Sequence, residues 1–67
     1  MKKIVNRELV GDALDGLREQ LEKRFPNLSI EAVDHVASSM IQRVIGNALS
    51  TNKQKEDSLY RLMKGEF

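Results

Sequence analysis

The stretch from Ile30 to Leu49 constrains this 67-residue chain more than any other. Ile30, Val33, Val36, Ala37, Met40, Ile41, Val44, Ile45, Ala48 and Leu49 recur at steps of three and four, the signature of an amphipathic helix. At about 100° per residue these positions sweep roughly 220° of the helix circumference, whereas a surface helix usually shows a stripe of about 100°. So wide an apolar arc needs cover on more than one side. The flanking segments of a short chain supply part of it, and a second molecule is expected to supply the rest.

Length sharpens that demand. A domain of this size buries only about 60% of the surface its unfolded chain exposes, so its core is marginal without a staple. There is no cysteine, which excludes disulfides and thiolate zinc sites, and the single histidine excludes a His-rich metal site. Oligomerisation and close helix packing remain. A chain with 40% hydrophobic and 31% charged residues has the balance of a folded protein. Its net charge of +1 selects neither a polyanionic nor a polycationic partner.

Before the central run, residues 6–24 read as a first helix. Val10, Leu14, Leu17 and Leu21 form a seam spaced four, three and four, broadened by Leu9 and Ala13. Asn6 is placed to cap its start. Gly11 and Gly16 weaken this helix unless they serve a close approach to a neighbour. Pro26 then disfavours helix at Phe25, and Ser29 caps the restart, with Glu31 in the first turn. The second helix is expected over residues 30–50. The polar stretch from Ser50 to Gln54 predicts a break, and Thr51 and Gln54 have capping-box spacing. A third helix over residues 52–64 follows, carrying Leu59, Leu62 and Met63 and stopping at Gly65. The rival pattern is one unbroken helix to Lys64. The expected fold is a single all-α domain of three helices, the second central, paired as a homodimer. Val36, Met40, Ile41, Val44 and Ile45 are the expected dimer or partner interface.

Three constellations bear on function. Glu8, Asp12, Asp15, Glu19 and Glu22 fall on one face of the first helix, opposite its apolar seam, and are a possible acidic docking face for a basic surface. Asp34 intrudes on the central apolar arc and is a candidate for pairing with an arginine across an interface. Basic residues gather as Lys2, Lys3 and Arg7, as Arg18, Lys23 and Arg24, and as Lys53, Lys55, Arg61 and Lys64. Brought together by dimerisation they would meet phosphates, but three aromatic residues make no stacking platform. His35 and Ser39 share a helix face, yet no carboxylate is placed to orient the ring, so nucleophilic chemistry is not expected.

These readings converge on a non-enzymatic helical interaction module. The chain is expected to be a homodimeric regulator or adaptor that binds another macromolecule, most simply a protein. No cofactor, metal or small-molecule substrate is expected, nor any membrane span, and the expected compartment is the cytoplasm. The alternative is a small dimeric DNA-binding transcriptional regulator.

Overall fold

The computed structural model describes residues 6–67, and these form three α-helices packed against one another, with no strand among them. Helix α1 spans Arg7–Arg24, α2 Ile30–Ile45 and α3 Asn52–Met63. Each helix starts where a side chain satisfies a free amide of its first turn. Asn6 accepts from the Glu8 amide at 2.8 Å, and Ser29 from the Ala32 amide at 3.1 Å. Thr51 and Gln54 form a reciprocal capping box, with bonds of 3.1 and 2.9 Å. That box fixes α3 as a separate helix. Among the described residues, no helix is long and apolar enough to cross a membrane.

The contacts set the directions of the helices. Asp34, in the first turns of α2, reaches Arg18 in the second half of α1, so α2 runs back along α1. Gly16 lies against Met63, and Gly65 lies against Gln20 and Arg24, so α3 runs in the same direction as α1. α1 therefore packs broadly on both other helices, whereas α2 and α3 touch each other only slightly. This explains the width of the apolar stripe on α1. Leu17 and Leu21 lie at its centre, Leu9 and Ala13 on the side shared with Gly16, and Val10 and Leu14 on the opposite side. Gly16 does have a packing role, since a Cβ there would sit 3.3 Å from the Met63 side chain. Gly11 faces open space.

The core is wholly aliphatic: Leu9, Ala13, Leu17, Leu21, Val33, Ala37, Ile41, Leu59 and Leu62. Burial at about 25 cal/mol per Å² of apolar surface is its main source of stability, and among the described residues no polar side chain is buried with it.

α2 ends at Ile45, about five residues before the limit expected from periodicity. Gly46 is the C-cap: its amide makes the last α-helical bond, to the Gln42 carbonyl at 2.8 Å, and the Asn47 amide then bonds the Val44 carbonyl three residues back at 3.4 Å as the chain leaves the helix. The Asn47 side chain accepts from the Leu49 amide at 3.0 Å, an Asx turn that competes with continued helix. Ala48 and Leu49 are consequently outside the helix, and Leu49 is 95% exposed. At the other end, Ile30 opens the helix and is 72% exposed. Both ends of the apparent arc thus fall away from the core.

The C-terminal segment is pinned onto the end of α1. Arg24 donates from its guanidinium to the Gly65 carbonyl and lies over the Phe67 ring at 4.7 Å. Gly65 adopts φ +84°, and a Cβ there would approach Gln20 Oε1 to 2.7 Å. Gly65→Ala is therefore expected to destabilise the chain by about 1–2 kcal/mol through left-handed backbone strain and displacement of Gln20. A urea titration checks this, with a lower midpoint and an unchanged slope as the expected result.

Candidate functional site

The residues expected to form the interface divide in the structure. Ile41 is 4% exposed and belongs to the chain's own core, on the line Val33–Ala37–Ile41. It is not available to a second molecule. The physical reason is its register: Val33, Ala37 and Ile41 follow at steps of four and so share one helix face, the one buried in the core. Val44 and Ile45 are half-buried and pack against the core. Val36 and Met40 also touch the core, but they line a shallow depression on the outer flank of α2, together with His35, Ser39, Gln42 and Arg43. The depression has two apolar side chains at one edge and polar ones around them. His35, Ser39, Gln42 and Arg43 are all exposed.

The acidic residues Glu8, Asp12, Asp15, Glu19 and Glu22 are all exposed on α1. They sit on the face turned away from Leu17 and Leu21, as a 100° step per residue requires. Arg18 reaches the nearer edge of this row, 3.9 Å from Asp15. Its closer partner is Asp34 of α2, with Nε–Oδ1 at 3.0 Å. The carboxylate singled out for a pairing across an interface is thus engaged within the chain, tying α2 to α1. Both side chains are partly solvated, at 38% and 50% exposure, so the pair contributes at most about 1 kcal/mol.

Two of the basic side chains are engaged within the chain. Arg18 is turned to Asp34 and Asp15, and Arg24 to Gly65 and Phe67. Lys53, Arg61 and Lys64 are exposed on α3, with the acidic Asp57 among them. Lys2 and Lys3 lie outside the described residues.

A feature missed by periodicity is the apolar end of the bundle. Phe25, Leu28 and Ile30, at the α1–α2 turn, are 50%, 41% and 72% exposed. Phe67 lies at the same end because Arg24 holds it there. The signal in the sequence was the density of large side chains around Pro26, where Phe25 to Ser29 marks the stop of one helix and the restart of the next and Ile30 opens the apolar arc.

No family model, curated protein or solved structure matches this sequence.

Proposed function

We propose that the chain is a non-enzymatic helical interaction module, a small regulator or adaptor that pairs with a second copy and binds another macromolecule. The observation carrying this reading is the depression on α2, where Val36 and Met40, half-buried against the core, form the apolar edge of a surface otherwise lined by exposed polar side chains. An apolar edge set beside polar side chains offers a partner both kinds of contact that small interfaces use. The acidic row of α1 lies exposed on a different face and, apart from the Arg18–Asp15 contact at its edge, suits a basic partner surface.

Sedimentation over a concentration series tests the pairing. The expected result is a concentration-dependent dimer, with Met40→Asp a helical monomer. Met40 is half-buried at the edge of the core, so this carboxylate retains access to water and the fold should survive. A wild-type chain that stays monomeric throughout would overturn the dimer. Duplex binding that weakens steeply with salt, and more weakly after neutralising Lys53 and Lys55, would favour a DNA-binding regulator instead.

A further inference from the structure

We draw no further inference here: the strongest candidate, the exposed apolar patch of Phe25, Leu28 and Ile30 at the α1–α2 turn with Phe67 at the same end of the bundle, is an unpartnered face, and nothing in the structure shows what covers it.

Discussion

Ile41→Asp is expected to unfold the chain rather than separate two folded copies. Ile41 is 4% exposed, at the end of the α2 core line that begins with Val33 and Ala37. A carboxylate there has no buried polar partner, since the core around it is wholly aliphatic. Leaving an uncompensated charge in such a place costs about 3–5 kcal/mol, and protonating it still buries an unmatched polar group. A domain of this length rarely holds more than about 3–5 kcal/mol in its core. Far-UV circular dichroism at 25 °C should therefore show loss of most helix at every concentration. Met40→Asp, one residue earlier, should keep its helix. The neighbours differ because a single step turns the side chain by about 100°. An Ile41→Asp chain that melts within a few degrees of wild type would refute the assignment of this residue to the core.

Leu17→Ala carries the second large effect. Leu17 is fully buried near the middle of α1, the helix that packs broadly on both others. Truncating a buried leucine to alanine costs about 2–5 kcal/mol, the higher values arising where neighbours cannot close the cavity. Collapse is restricted here, because Gly16 already brings α3 into tight contact beside it. A loss of about 3 kcal/mol or more is expected, read as a fall in urea midpoint, with the helical signal of the native baseline much reduced. A loss under about 1 kcal/mol would mean that the three helices do not share one core. The same substitution at Leu14, which is only half-buried, should cost less.

The fold was largely legible in the residues, because its determinants are local. Asn6, Ser29 and Thr51 each cap a helix, and Pro26 forces the first break. The limits of the reading are equally physical. Ala48 and Leu49 continue the three-and-four spacing, so periodicity alone extends α2 past its end. The deciding residues, Gly46 and Asn47, act through backbone closure and an Asx turn. Ile41, counted among the expected interface residues, is buried in the chain's own core for a related reason. Apolar spacing marks a broad arc, but which part of that arc meets α1 is a tertiary matter, seen in the buried line Val33–Ala37–Ile41 and in the Asp34–Arg18 pair. Of the five residues, Val36 and Met40 line the depression on the outer flank of α2. The five carboxylates of α1 needed no tertiary information, since their spacing alone places them on one outward face.

The clasp between Arg24 and Gly65 joins residues 41 positions apart, and it closes the same α1–α3 contact that Gly16 and Met63 make closer to the middle of α1. The broadest packing surfaces thus include one between the first and last helices, so much of the native energy arrives only after a long loop has closed. Closure costs entropy before any contact repays it. An α1–α2 hairpin alone leaves the Gly16 side of α1 uncovered, which removes the usual halfway state of a helical bundle. Folding should accordingly be a single concerted event, slower than expected for three short helices, with the last turn of α3 arriving together with the core instead of after it.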